Sequence, residues 1–201
     1  QSSYHIFELK KSKDAYDFIV NRDEIFSAIL IKYDHEEQLL KTKICINNES
    51  DIKPEDVNVG FIGAGNFAQG TLLPNMKNKC NFISILNRSG NTSLHVAKKY
   101  NFFNCVSDVN EIYKDKIINT VFITTRHNLH ANQVIDSLKN NKNVYVEKPL
   151  AMNINELLEI DKIYKNKNHL KLMVGFNRRF SPAVADINKL FKRNQPKSII
   201  I

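Results

Sequence analysis

VNVGFIGAGNFA, residues 57–68, decides the fold of this chain. It opens as a short apolar run, 57–62, and turns at Gly63 into G-x-G-x-x-A. In a strand–turn–helix unit, the first glycine of that pattern allows the tight turn. The second lets backbone approach a diphosphate, and a small third residue lets helix pack closely on strand. Those roles fall on Gly63, Gly65 and Ala68. A diphosphate would then sit at the helix N-terminus, where free N–H groups and the helix dipole favour an anion. The glycine pattern alone is unspecific; its place after a strand and ahead of a helix gives it weight.

Downstream, further apolar runs recur at 82–86 (FISIL), 118–124 (INTVFIT), 143–146 (NVYV) and 170–175 (LKLMVG), with a weaker one near 103–106. Helical stretches at 91–100, 128–140 and 153–166 lie between them, with apolar residues three and four apart. Short strands alternating with helices of this length imply βαβ units and a parallel sheet covered on both faces. Right-handed crossovers make the expected fold an α/β, doubly wound parallel sheet of the Rossmann type. Upstream, the spacing predicts a helix over 10–20 and a strand over 26–33. Residues 34–56 are polar, with Asn47, Asn48 and Pro54, and read as a linker. The expected organisation is thus 1–33 as a separate piece, 34–56 as linker, 57–180 as nucleotide-binding domain and 181–201 as the start of a further, truncated domain.

Bulk composition narrows the partners. Of the 201 residues, 42% are hydrophobic and 25% charged, as in ordinary globular domains. No run approaches the ~20 apolar residues needed to cross a bilayer. The formal charge of +8 raises the question of nucleic acid. The lysines, however, are scattered over helix faces and turns, and Arg178-Arg179 is the tightest Arg pair, so nucleic acid is not an expected partner. Cys45, Cys80 and Cys105 are dispersed, without a CxxC pair. They form neither a disulfide framework nor a zinc site, and fit reduced thiols in a cytoplasmic protein.

A ribose-binding carboxylate is expected about 20 residues after the glycine loop, at the end of the second strand. That strand is followed by Asn87-Arg88-Ser89 instead. A carboxylate would repel a 2′-phosphate; Asn87 does not, and Arg88 and Ser89 offer it partners. NADP is favoured over NAD on this ground, although an Arg88 that stacked on adenine would suit either cofactor.

Four ordered motifs carry a resemblance: GAGNFA (63–68), TTRHNLH (124–130), VEKP (146–149) and GFNRRFSP (175–182). Together they resemble the glucose–fructose oxidoreductase and inositol dehydrogenase family (Gfo/Idh/MocA), over about 57–190. The resemblance implies hydride transfer to or from a sugar, sugar nucleotide or polyol, with NADP or NAD as cofactor. The lysine of E-K-P, here Lys148, is the implied catalytic residue, and Glu147 lies beside the nicotinamide ribose. The candidate cofactor contacts are Gly63, Gly65, Asn66, Phe67, Asn87, Arg88, Ser89, Thr125, His130, Glu147 and Arg178, with no metal. Where family members read T-P-x-x-x-H this chain has Arg126, which puts the local backbone in question.

The chemistry independently suits Lys148. Oxidising a secondary alcohol removes a hydride from carbon and a proton from oxygen, and a neutral amine can accept that proton. A free lysine has a pKa near ~10.4. Burial and a positive nicotinamide ring would lower it, while a close Glu147 carboxylate would oppose them. Family members complete the relay with an Asp and a His in a second, substrate domain, and a homo-oligomer formed through that domain is the assembly expected here. The expectation here is a fragment that binds cofactor but turns over little. Residues 1–33 resemble the tail of a zinc-type medium-chain alcohol dehydrogenase, as in a bi-domain oxidoreductase; a plain N-terminal extension is the alternative. A sensor that binds cofactor or sugar without turnover is the alternative function.

Overall fold

The computed structural model describes residues 4–21, 24–33, 42–47 and 52–190. The chain divides into two compact units, one up to Thr42 and one from Lys43 onward. In the first, strand β1 (Tyr4–Glu8), helix α1 (Ser12–Asn21) and strand β2 (Ala28–Lys32) form a βαβ unit. Its strands are parallel, with Tyr4 opposite Ala28 and Glu8 opposite Lys32. The stretch before the helix is therefore a paired strand. Phe18 packs beside His5, Phe7 and Phe26, with ring centroids 4.6–5.9 Å apart.

The second unit is built on strands β3 (Lys43–Cys45), β4 (Asn58–Ile62), β5 (Asn81–Leu86), β6 (Asn104–Val106), β7 (Thr120–Ile123), β8 (Asn143–Glu147) and β9 (Leu172–Gly175). They lie in one sheet in the order β3-β6-β5-β4-β7-β8-β9. All pairings from β6 to β9 are parallel; β3 runs antiparallel on β6. Lys43–Cys45 thus joins the sheet edge, inside the stretch read from sequence as linker. Three residues carry too little periodicity to be recognised as a strand. Residues 34–41 and 48–51 of that stretch, and 191–201 of the expected further domain, lie outside the described residues.

Helices cover both faces. After the glycine turn the chain is helical from Asn66, widens to a π-type turn over Ala68–Leu72, and continues as α2 (Leu73–Met76). Then come α3 (Gly90–Tyr100), α4 (Asn110–Tyr113), α5 (His130–Lys139), α6 (Ile154–Lys165) and α7 (Pro182–Leu190). Alternate residues of the strands feed two cores. Val59 and Phe61 join Phe82, Ile85, Val96 and Phe102 on one face, while Ile62, Ile83, Val121 and Ile123 join Val134, Leu138, Val144 and Ile160 on the other. Helix α5 buries Ala131, Val134, Ile135 and Leu138, the four-residue repeat of a helix with one apolar stripe. Strand β4 is buried along its whole length, as a central parallel strand must be.

One buried charge ties the N-terminal edge of β8. The Lys142 ammonium donates to the carbonyls of Asp115 (2.5 Å) and Ile118 (2.6 Å). Burial holds its pKa below the ordinary lysine value, against the opposing pull of the Asp115 carboxylate. Lys142→Ala leaves those carbonyls without their donor. It is expected to cost about 2 kcal/mol, read as a lower denaturation midpoint at unchanged slope.

Candidate active site

The strand order makes β4 the switch point: the chain goes from β4 out through β5 and β6, then returns to β7 on β4's other side. Ligands of open α/β sheets collect beyond the carboxyl ends of strands at such a point. A cleft of about 680 Å³ opens there. One wall is Gly65, Asn66, Phe67 and Ala68, after β4. Thr124, Thr125, His127 and His130 follow β7, Glu147 ends β8 with Lys148 next, and Gly175 ends β9 with Phe176 to Arg179 after it.

Gly63 makes the turn under this cleft. Its φ is +89°, a conformation that costs an L-residue dearly. A β-carbon there would stand 2.8 Å from the Thr124 carbonyl oxygen. The Gly63 N–H donates to Leu86 O (2.8 Å), and its carbonyl accepts from Thr124 Oγ1 (2.7 Å). The turn is thereby tied to the ends of both neighbouring strands. Gly65 differs, since nothing lies within 4 Å of where its β-carbon would be. That open space, next to the first turn of a helix, fits the close approach of a dinucleotide's diphosphate.

On the opposite wall, Tyr145 and Glu147 stand two apart on β8 and so share one face. The Tyr145 hydroxyl donates to Glu147 Oε1 at 2.5 Å, and Asn177 Nδ2 donates to the same oxygen at 3.3 Å. Burial first, then the hydrogen bond to Glu147 and its charge, push the Tyr145 hydroxyl well above the ordinary tyrosine pKa. Its ring stacks on Phe122 with centroids 4.8 Å apart. Gly175 faces this pair across the strands: a β-carbon there would be 2.6 Å from the Tyr145 oxygen and 2.7 Å from Glu147 Oε1. Lys148 is exposed and lines the cleft. Among the described residues it has neither an ion-pair nor a hydrogen-bond partner.

The loop after Lys148 is held by a buried imidazole. His130 is fully buried, with Nδ1 2.7 Å from the Pro149 carbonyl and Nε2 3.1 Å from the Thr125 carbonyl. Beyond that loop α6 begins on a cap: Asn153 Oδ1 accepts from the Glu156 N–H (3.0 Å), and Glu156 Oε2 accepts from the Met152 N–H (2.7 Å). The backbone on both sides of the lysine is therefore pinned.

A family model described as an oxidoreductase family with an NAD-binding Rossmann fold, GFO_IDH_MocA, matches residues 57–176. The chain belongs to that family. Oxidoreductase P35 of Formosa agariphila is 26% identical over 147 residues, 72% of this chain and 45% of that protein. Levoglucosan dehydrogenase of Pseudarthrobacter phenanthrenivorans is 38% identical over 89 residues, 44% of this chain and 23% of its own length. A solved levoglucosan dehydrogenase in complex with NADH and levoglucosan superposes with a TM-score of 0.58 at 30% identity, covering 64% of this chain and 37% of that one. KijD10, a 3-ketoreductase from Actinomadura kijaniata solved with NADP and TDP-benzene, gives 0.62 at 19% identity over 67% and 42% of the two chains, a likeness of fold. The chain spans less than half the length of these relatives.

As a Gfo/Idh/MocA oxidoreductase domain, the chain binds NAD(P), and most of the candidate residues meet in one place. Gly65, Asn66, Phe67, Thr125, Glu147, Lys148 and Arg178 line the cleft, with Gly63 beneath it. Asn87, Arg88 and Ser89 follow β5 and are not among the cleft-lining residues. The Gly63–Leu86 bond ties the strand end just before them to the glycine turn. Arg88 and Ser89 are exposed, and Ser89 stands at the start of α3 without a side-chain capping bond. His130 also lines the cleft, and both its ring nitrogens face backbone carbonyls, so it braces two loops. Arg126 has φ −72° and ψ 147°, an extended shape that a proline at that position would also adopt. Tyr145, Gly175 and Asn177 were not foreseen; the Y-x-E spacing at the end of a strand was the available signal.

Among the described residues, no helix is long and apolar enough to cross a membrane. Nor does any group of three or more His, Cys, Asp or Glu side chains there suit a metal ion.

Proposed function

We propose that this chain is the cofactor-binding, base-supplying half of an NAD(P)-dependent oxidoreductase acting on a CH–OH group of a sugar, sugar nucleotide or polyol. The observation that carries the reading is the convergence of the glycine turn, the Glu147–Tyr145 pair and the unpartnered Lys148 on one cleft at the strand switch point. The relatives support the substrate class, since one is solved with NADH and levoglucosan. When bound, the nicotinamide supplies the centre that exchanges hydride with the alcohol carbon. Lys148 Nζ then takes the proton from the alcohol oxygen as the C–O bond becomes C=O, and returns it in the reverse direction. Glu147 would lie beside the nicotinamide ribose, and the helix beginning at Asn66 would hold the diphosphate. Arg178, beyond β9, lines the same cleft and would contact the cofactor there. The three free cysteines fit a cytoplasmic setting, and self-association would run through a further substrate domain.

Within this reading the cofactor is NADPH rather than NADH. Among the described residues no carboxylate pairs with Arg88, and Asn87 Oδ1 accepts from the Arg88 N–H at 3.0 Å, which fixes the turn. Calorimetric titration is expected to give the tighter constant for NADPH. Arg88→Ala should weaken NADPH selectively, by the ~1.5–3 kcal/mol of a hydrogen bond to a charged group. A clear preference for NADH in the unaltered protein overturns the assignment. Oxidation assays over sugars and polyols, followed by nicotinamide reduction in the complete gene product, test the activity itself; a chain that binds cofactor tightly yet oxidises none of them sinks the enzymatic reading.

A further inference from the structure

The side chains that flank the candidate base pose a problem of charge. Glu147 and Lys148 are adjacent in sequence and line the same cleft. Glu147 is the one carboxylate among the cleft-lining residues. The cationic or titratable groups facing it are Lys148 on its own strand end, His127 and His130 from the β7 side, and Arg178 and Arg179 from beyond β9. Lys148 lies just past the strand end and lines the same cleft, so its ammonium is a candidate partner for that carboxylate. Such a pair stabilises the charged lysine, which opposes any use of the neutral amine.

The pair does not form. Glu147 Oε1 is instead taken by the Tyr145 hydroxyl at 2.5 Å and the Asn177 amide at 3.3 Å. The tyrosine hydroxyl has one hydrogen, and its contact to Asn177 Oδ1 is the longer at 3.3 Å, so the proton goes to the carboxylate. The absence of a side chain at Gly175 leaves room for this bond, and the stack on Phe122 fixes the ring that delivers it. With its hydroxyl proton held strongly, Tyr145 stays a donor over the whole physiological range.

We infer that Tyr145 is a positioning residue: it holds the Glu147 carboxylate off Lys148, and so leaves the lysine amine free to accept the substrate proton. The inference rests on the reading of Lys148 as the base. Tyr145 is not among the cleft-lining residues; it acts through Glu147, and Asn177 assists from the loop after β9.

The test reads the lysine directly and needs no turnover. Labelling of Lys148 by an amine-reactive reagent at fixed, mildly alkaline pH, followed by mass spectrometry, reports the neutral amine. Rates are referred to exposed lysines such as Lys139 in the same sample. Tyr145→Phe keeps the ring and its stack while removing the donor, and is expected to slow Lys148 labelling by about 3- to 10-fold as Glu147 swings to the lysine. Adding Glu147→Gln to that variant removes the competing charge and should restore the rate. A purely structural role for Tyr145 would change all lysines together and would not be rescued by the second substitution. An unchanged Lys148 rate in a folded Tyr145→Phe protein overturns the inference, and so does failure of the double variant to recover. Failure of the underlying reading looks different: Lys148→Ala would then leave turnover of the complete gene product near normal, whatever the labelling shows.

Discussion

Lys148→Ala is expected to lower kcat by about 10²- to 10⁴-fold, the range over which a positioned acid–base group contributes. The loss falls on the chemical step because Lys148 has no structural duty to fail. It is exposed, and among the described residues it bonds to no other group. Its neighbours hold the backbone without it, through the His130 bond to Pro149 on one side and the Glu147 bonds on the other. Fold and cofactor affinity should therefore be nearly unchanged, which separates lost chemistry from lost binding. The measurement is steady-state turnover of the complete gene product beside a cofactor titration of the same variant. Turnover within a few-fold of the unaltered protein would move the base to another residue. A parallel fall in cofactor affinity would make Lys148 a binding group instead.

The parts of the site that were legible in the sequence share one property: each sits at the carboxyl end of a parallel strand. Once 57–62, 118–124, 143–146 and 170–175 were read as strands of a doubly wound sheet, topology alone brought Gly65, Thr125, Lys148 and Arg178 to one edge. Side-chain partnerships were another matter. The sequence shows His130 as a residue in a motif, but not that its two nitrogens span from Thr125 to Pro149. Tyr145 reads as one more apolar residue of a buried strand, and only the facing Gly175 and the incoming Asn177 make its hydroxyl a partner of Glu147. Lys142 looks like a solvated turn lysine until the carbonyls of Asp115 and Ile118 close around it. These contacts depend on which loops lie side by side, and periodicity carries no such information. The edge strand Lys43–Cys45 escaped for the same reason, since pairing with Asn104–Val106 is all that marks it.

The two glycines of the phosphate turn should fail in different ways when each is replaced by alanine. At Gly63 the backbone has φ +89°, and the new methyl would press to 2.8 Å on the Thr124 carbonyl oxygen and 3.0 Å on the Thr125 nitrogen. The left-handed conformation costs an L-residue about 1–2 kcal/mol. Forcing rigid backbone aside adds about 1–3 kcal/mol, so Gly63→Ala is expected to destabilise the fold by about 3 kcal/mol or more. The next carbonyl along, that of Thr125, is the one held by His130, so the strain runs on toward Pro149 and Lys148. Gly65→Ala meets no atom within 4 Å, and its φ is not in the left-handed region. Its denaturation midpoint should hardly move. Its methyl nevertheless fills the space through which a diphosphate would reach the backbone, so cofactor affinity should fall by about tenfold or more, equivalent to about 1.4 kcal/mol. Denaturant titration and cofactor calorimetry on both variants separate the outcomes. If Gly65→Ala binds NADPH and NADH as the unaltered protein does, the diphosphate does not lie against this turn. If Gly63→Ala keeps full stability, the turn is not anchored through Thr124 as the geometry requires.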